Sequence, residues 1–305
     1  MKVCIITRSN KGNNPNNFFD VKSLKDSSLK FNHEFYMIDP EDLIFSYIDN
    51  RLNVNIVGGG DILDFDVYII RISLIVYPER KNSDSALIAE YLINNGKTVL
   101  NISNSFRSMT RNKMYDFMIL SQSNIPLIPS IYLDASDIND IEYYISKNNF
   151  KYPLILKSIK GLQGRNLFKV ENFEDIKDII SKNSHISFMI QEYYKILHDL
   201  RVIVLDGNIL GAMEKLPKEG DFRGNISQGA SGKIFRLDKE LSDLVKRIYY
   251  ADGTEFIGVD IAITDRGTFV LEVNRGLGFE GFSKYLDIKV SDHIIKYLEN
   301  KFNNQ

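Results

Sequence analysis

Cysteine is nearly absent: Cys4 is the single one in 305 residues. A disulfide framework is thereby excluded, and a cytoplasmic setting is the simplest expectation. Long apolar runs are equally scarce. The longest, VYIIRISLIVY, is too short to cross a bilayer and carries Arg71 in its middle, so no membrane partner is expected. A strand-like pattern begins almost at once, so no secretory signal is expected. Excess charge of one sign is missing too, because 38 Lys and Arg against 40 Asp and Glu leave a net charge of -2. That balance gives no support to non-specific nucleic-acid binding. Histidine is sparse, and His33, His185, His198 and His293 have no zinc-ligand spacing.

What remains is ordinary globular material, 44% hydrophobic and 26% charged, enough for about two or three packed units. Apolar runs at KVCIIT, EFYMI, DVYIIRI and KTVLNI, with a helical stretch SALIAEYLINN, predict a small α/β domain over residues 1–105. Its Gly58-Gly59-Gly60 is not followed by a helix pattern and reads as a loop. Residues 106–190 read as a small α+β domain, with a helical segment starting near residue 111 and the strand YPLILKSI. Residues 191–305 are richer in strands, with hairpin signals at Asp206-Gly207 and Asp265-Arg266-Gly267 and a closing helix from about residue 284. No internal repeat or long linker interrupts them.

The stretch FIGVDIAITDRGTFVLEVNRG concentrates the chemistry. Alternation puts Ile257, Val259, Ile261 and Ile263 on one face, continued by Phe269, Leu271 and Val273. The other face holds Asp260, Glu272 and Asn274. A three-residue loop at Asp265-Arg266-Gly267 sets Asp260 opposite Glu272, with Cβ atoms roughly 5 Å apart. Two carboxylates there repel by about 3 kcal/mol at an effective dielectric near 20, so something positive must lie between them. With the Asn274 amide they form a hard ligand set suited to Mg²⁺ or Mn²⁺. The bland alternative is a solvated polar face, and a two-residue loop would break the pairing.

Cations that could meet phosphates lie elsewhere. Lys157 ends an apolar strand before a loop with Gly161 and Gly164, while Lys113 sits at a helix start. The Asp206-Gly207 turn predicts Arg201 opposite Ala212 and Asp199 opposite Glu214, with Asp199, Arg201 and Glu214 on one face. A polar stretch, LPKEGDFRGNISQGASG, follows, with Lys215 just before it and Lys218, Arg223 and Asn225 within it, cations that could converge on the carboxylate pair. Gly229-Ala230-Ser231-Gly232 lacks the spacing of a hydrolase nucleophile elbow.

Taken in order, DLRVIV, KEGDFRGN, GVDI and LEVN followed by GFEG resemble the ATP-grasp superfamily and, within it, the RimK-like carboxylate-amine ligases. The resemblance implies an ATP-grasp fold: an N-terminal α/β (pre-ATP-grasp) domain, a small central lid and a C-terminal antiparallel-sheet domain. It implies ATP and Mg²⁺ (or Mn²⁺) as cofactors. Lys113 and Lys157 would contact phosphates, and Gln191, Glu192 and Tyr193 would form the hinge around adenine. Asp199 and Asn225 would take part in nucleotide binding, Arg201 and Arg223 would stabilise phosphoryl or acyl-phosphate oxygens, and Asp260, Glu272 and Asn274 match the metal ligands.

The implied reaction activates a carboxylate as its acyl phosphate for attack by an amine, an amino acid being joined to a small molecule, peptide or carrier protein. The protein could act as a homo-oligomer. A phosphotransferase on the same fold, stopping at a phosphorylated hydroxyl or carboxylate, is the other enzymatic reading, and a binding module without turnover is a third. Arg275 departs from glutamate-adding relatives, adding a cation beside the metal that would grip a substrate carboxylate and speak against glutamate.

Overall fold

The computed structural model of the protein describes residues 1–7, 18–71, 85–101, 113–133, 138–159, 166–216, 231–276 and 278–304. Arg223 and Asn225, with Gly161, Gly164 and Lys218, lie outside the described residues.

Strand β1 (Lys2–Ile6) shows how the amino-terminal unit is built. Val3 and Ile5 join one apolar core and Cys4 and Ile6 another, all four fully buried. That is the signature of a strand covered on both faces. It lies between β2 (Glu34–Ile38) and β5 (Val67–Ile70), with β6 (Thr98–Val99) beyond, in a parallel sheet of order β2-β1-β5-β6. Helices α1 (Phe18–Lys30) and α2 (Ser85–Asn94) accompany it. The four strands fall on the four apolar runs. Between them stands an unforeseen antiparallel hairpin of β3 (Leu43–Ile48) and β4 (Arg51–Ile56).

A second sheet is antiparallel: β7 (Ser130–Leu133), β10 (Phe188–Glu192), β8 (Leu154–Ser158) and β9 (Leu167–Val170), in that spatial order. Helices α4 (Ile138–Lys147) and α5 (Phe173–Lys182) cover it, setting Ile141, Ile145 and Ile176 against Leu154, Leu156 and Ile190. Their apolar residues recur at helical spacing, so each helix has one face to bury. Asn172 starts α5 by accepting the Asp175 N–H at 3.0 Å.

The third sheet has the order β13-β12-β11-β14-β15, from β11 (Ile196–Leu205), β12 (Asn208–Leu216), β13 (Ser231–Ile234), β14 (Phe256–Thr264) and β15 (Gly267–Asn274). One face is apolar throughout: Leu200, Val202, Ile257, Val259 and Ile261 pack on Leu241, Leu244, Val245 and Ile248 of α6 (Lys239–Asp252). Asp238 caps that helix, and Gly253 ends it at φ 72°, a left-handed conformation that glycine adopts without strain. Helix α3 (Lys113–Gln122) lies against α6 and β15.

The opposite face is divided. At one end Ile203, Leu205 and Phe256 share a core with Val3, Ile5, α7 (Glu280–Leu286) and α8 (Val290–Asn303), which fixes the amino-terminal unit to the carboxy-terminal sheet. Further along β11 and β14 the same face carries Asp199, Arg201 and Asp260. Burial of the apolar end anchors the polar end in place. No helix among the described residues is long and apolar enough to cross a membrane.

Candidate active site

Two inserted residues shape this face. The Asp206-Gly207 turn joins β11 and β12 as predicted, with Leu205 facing Asn208, but Leu210 is left without a partner: Val204 pairs with Ile209 and Ile203 with Gly211. One extra residue moves every later pair by one. Arg201 therefore faces Met213 instead of Ala212, and Asp199 faces Lys215 instead of Glu214. The predicted face of Asp199, Arg201 and Glu214 is corrected accordingly. Glu214 is turned away, between His198 at 2.8 Å and Lys233 at 3.0 Å, and Lys215 takes its place.

Between β14 and β15 the predicted three-residue loop is a two-residue turn, with Thr264 facing Gly267. Alone, that turn would separate Asp260 from Glu272. Leu271, again without a partner, restores the register, so that Ile261 pairs with Val270 and Asp260 with Glu272. The pairing was foreseen; its route was not. The bulge also exchanges the faces of β15, so Val270 joins Val273 in the core while Phe269 lies 5.1 Å from the Tyr194 ring.

Asp260 is the hub. Arg201 grips it with both ends of the guanidinium, Nε to Oδ1 at 2.7 Å and a terminal nitrogen to Oδ2 at 2.6 Å, and Lys215 reaches Oδ2 at 3.3 Å. Lys215 also pairs with Asp199 at 2.6 Å. Burial opposes ionisation of Asp260, but Arg201 and Lys215 outweigh it and hold its carboxyl at about 2. Asp199 goes the other way: burial, with Asp260 adding repulsion, outweighs Lys215 and pushes its carboxyl up to about 6. The positive charge demanded by two opposed acids is thus supplied in part by the chain itself.

Glu272, across from Asp260, makes no hydrogen bond or ion pair among the described residues. The Asn274 amide Nδ2 is buried and has no hydrogen-bond partner among them. Amide nitrogen and oxygen exchange places on a flip, so Asn274 can present Oδ1 to the same space. An ionised acid, a second acid without a direct partner and an unsatisfied amide suit a hard divalent cation. Among the described residues no cluster of three or more His, Cys, Asp or Glu occurs, and this set, with its amide, is not such a cluster.

Two lysines approach Glu272 from other elements. Lys113 opens α3 and shares a cleft with Asp116, Phe117, Leu271 and Glu272. Lys157, buried on β8, lies 5.4 Å from the Phe117 ring centroid. Burial and neighbouring Lys113 pull its ammonium down to about 8, with Glu272 acting against them. The sequence-predicted set Lys113, Lys157, Arg201, Asp260, Glu272 and Asn274 is therefore brought together with Asp199.

At the end of β10, Gln191 bonds Lys157, Glu192 N–H donates to Pro129 O at 3.1 Å, and Tyr193 faces Lys169 at 4.8 Å. Sequence reasoning gave no role to Ser130 or Asp116 and read Lys215 only as one of the cations beside the polar stretch. The corrected register is what sets Lys215 opposite Asp199. Arg275 is a further correction. Its guanidinium pairs with Asp252 and, at 2.8 Å, with Asp116, tying β15 to α6 and α3. Buried and doubly paired, it is not available to grip a substrate carboxylate.

A parallel α/β unit, a small antiparallel sheet carrying a lysine, and a larger sheet carrying paired acids make an ATP-grasp fold. The model of the RimK-like ATP-grasp domain matches residues 110–298, and the chain belongs to that family. It is 25% identical to a probable alpha-L-glutamate ligase of Legionella pneumophila (strain Corby), over 99% of this chain and 96% of the relative. It is 24% identical to the ribosomal protein bS6–L-glutamate ligase of Escherichia coli O7:K1, over 98% of this chain and 96% of that one. Among solved structures it resembles the ATP-grasp ligase PsnB complexed with a phosphomimetic variant of minimal precursor, Mg and ADP, at TM-score 0.74 and 20% identity, covering 98% of both chains.

Proposed function

We propose that the protein joins an amino acid, or another amine, to a carboxylate borne by a peptide, small molecule or carrier protein. It is an ATP- and Mg²⁺-dependent carboxylate-amine ligase, the reaction class of its family. The observation that carries the reading is the convergence of Lys113 and Lys157 on Glu272, across the strand pair from Asp260 and Arg201. Cations from two elements and acids from a third suit a triphosphate bridged by metal.

In the reaction the γ-phosphorus of ATP bonds to a substrate carboxylate oxygen and its bond to ADP breaks. The amine nitrogen then bonds to the acyl carbon, inorganic phosphate leaves, and the nitrogen gives up a proton. Asp260, Glu272 and Asn274 would hold Mg²⁺, which would offset charge on the phosphate oxygens. Lys113 and Lys157 hold those oxygens, and Arg201, anchored by Asp260, stabilises charge on the transferring group. Arg223 and Asn225 complete the set in this reading. Positioning and charge are all that the step requires of the protein. Division at about residues 105 and 190 into an α/β domain, a lid and a metal-bearing domain belongs to the same proposal.

Glutamate is the first amine to test, since relatives are named as glutamate ligases and Arg275 is engaged elsewhere. Hydroxylamine tests the class. With ATP, Mg²⁺ and a panel of carboxylates it should yield a hydroxamate matched by ADP release, because it intercepts an acyl phosphate. ADP release onto a hydroxyl acceptor, with no hydroxamate from any carboxylate, would point to the phosphotransferase reading instead.

A further inference from the structure

The family resemblance places Gln191 beside adenine, yet both ends of its side chain are engaged. Its Oε1 accepts from Lys157 Nζ at 3.1 Å, and its Nε2 donates to Ser130 Oγ at 2.9 Å. The Ser130 hydroxyl donates its hydrogen to Ile128 O at 2.8 Å, so toward Gln191 it acts as an acceptor. That fixes which way the amide points. A flip would set the amide NH₂ against an ammonium and leave Ser130 facing a carbonyl with no hydrogen to give. Ser130 and Gln191 are cross-strand partners on β7 and β10, and Lys157 lies on the next strand, β8. Gln191 and Lys157 are both buried, at 5% and 8% exposure.

We propose that Gln191, locked by Ser130, is a positioning residue that aims the Lys157 ammonium at the nucleotide phosphates and does not read the adenine base. This inference rests on the nucleotide site proposed above. The chemistry favours an amide in this place. A neutral acceptor holds the ammonium without cancelling its charge, whereas a carboxylate would neutralise it before phosphate arrived. Among the described residues the other groups around Lys157 are the Phe117 ring, Lys113 and Glu272, and none of them anchors Nζ by a hydrogen bond.

The test measures calorimetric affinities for ATP, GTP and inorganic tripolyphosphate, each with Mg²⁺, as a function of pH. Wild-type protein is compared with Gln191→Leu, Gln191→Glu and Ser130→Ala. Gln191→Leu should weaken all three ligands alike by about tenfold, equivalent to ~1.4 kcal/mol. Ser130→Ala should weaken them in the same sense by less. Wild-type affinity should fade above pH about 8 as Lys157 loses its proton. Gln191→Glu should move that fading upward by about one pH unit and Gln191→Leu should move it down.

A lid that was merely damaged would lose affinity at every pH without moving the limb, and would overturn the proposal. A loss confined to ATP would also overturn it, showing that Gln191 reads the base. Wild-type binding that no variant alters would sink this inference alone, while a wild-type protein that binds no triphosphate would sink the proposed function with it.

Discussion

Glu272→Ala should reduce ADP release by on the order of 10³-fold, comparable with removing one electrostatic contact from a phosphoryl-transfer site. The fold should survive. Glu272 is partly exposed and has no hydrogen-bonded or ion-paired partner among the described residues, so its removal strands nothing. Stability in denaturant should change by less than about 1 kcal/mol, the range of a side chain with no buried partner. Loss of its charge should even ease Asp116, whose carboxyl is raised first by burial and also by Asp252 and Glu272. Glu272→Gln should fall nearly as far in turnover, because an amide replaces the carboxylate charge that a divalent ion requires. Near-normal ADP production by either variant would remove Glu272 from the metal site.

Arg201→Met should cost both stability and turnover, and that combination separates it from Glu272→Ala. Asp260 is buried and ionised, and Arg201 supplies two of its hydrogen bonds, leaving among the described residues only the longer contact from Lys215. Breaking one side of a buried pair costs about 3–5 kcal/mol, and the remaining Lys215 places this variant toward the lower end. Turnover should fall by about 10²–10³-fold if Arg201 also meets the transferring group. Arg201→Lys keeps the charge but loses the two-pronged geometry, so it should recover part of the stability and little of the activity.

The stability loss has a definite pH dependence. The carboxyl of Asp260 is held at about 2 in the folded protein, below its ordinary 3.8. Its contribution is therefore present above pH 3.8 and is lost as pH falls through about 2. The difference between wild type and Arg201→Met should be full at neutral pH and should shrink toward zero under strong acid. Equal stability of the two proteins at pH 7 would contradict the role of Arg201 as the clamp on Asp260.

Much of this could be read from residue order. The four amino-terminal strands lie on the apolar runs that predicted them, and the polar interruptions at Asp260, Glu272 and Asn274 do share a neighbourhood. Register was less legible. A turn dipeptide sets the first pairs of a hairpin, but nothing in ILGAMEKL marks Leu210 as unpaired, and nothing in TFVLEVN marks Leu271. Bulges are settled by packing on both faces of a sheet, which a strand read alone does not carry. One such residue hid the cross-strand pairing of Lys215 with Asp199. The other repaired a pairing that the turn would have broken.

Arg275 shows the limit from another side. Beside a strand of candidate metal ligands an arginine suggests an anion, yet its partners Asp116 and Asp252 come from two separate helices. The Ser130–Gln191–Lys157 chain is similar, drawn from three strands that only the fold brings side by side.

The most direct measurement is a crystal structure of the protein with Mg²⁺ and a non-hydrolysable ATP analogue. Magnesium should lie between Asp260, Glu272 and the Asn274 amide oxygen, with Lys157 on the phosphates. A metal bound by the phosphates alone, with neither Asp260 nor Glu272 among its ligands, would contradict the account.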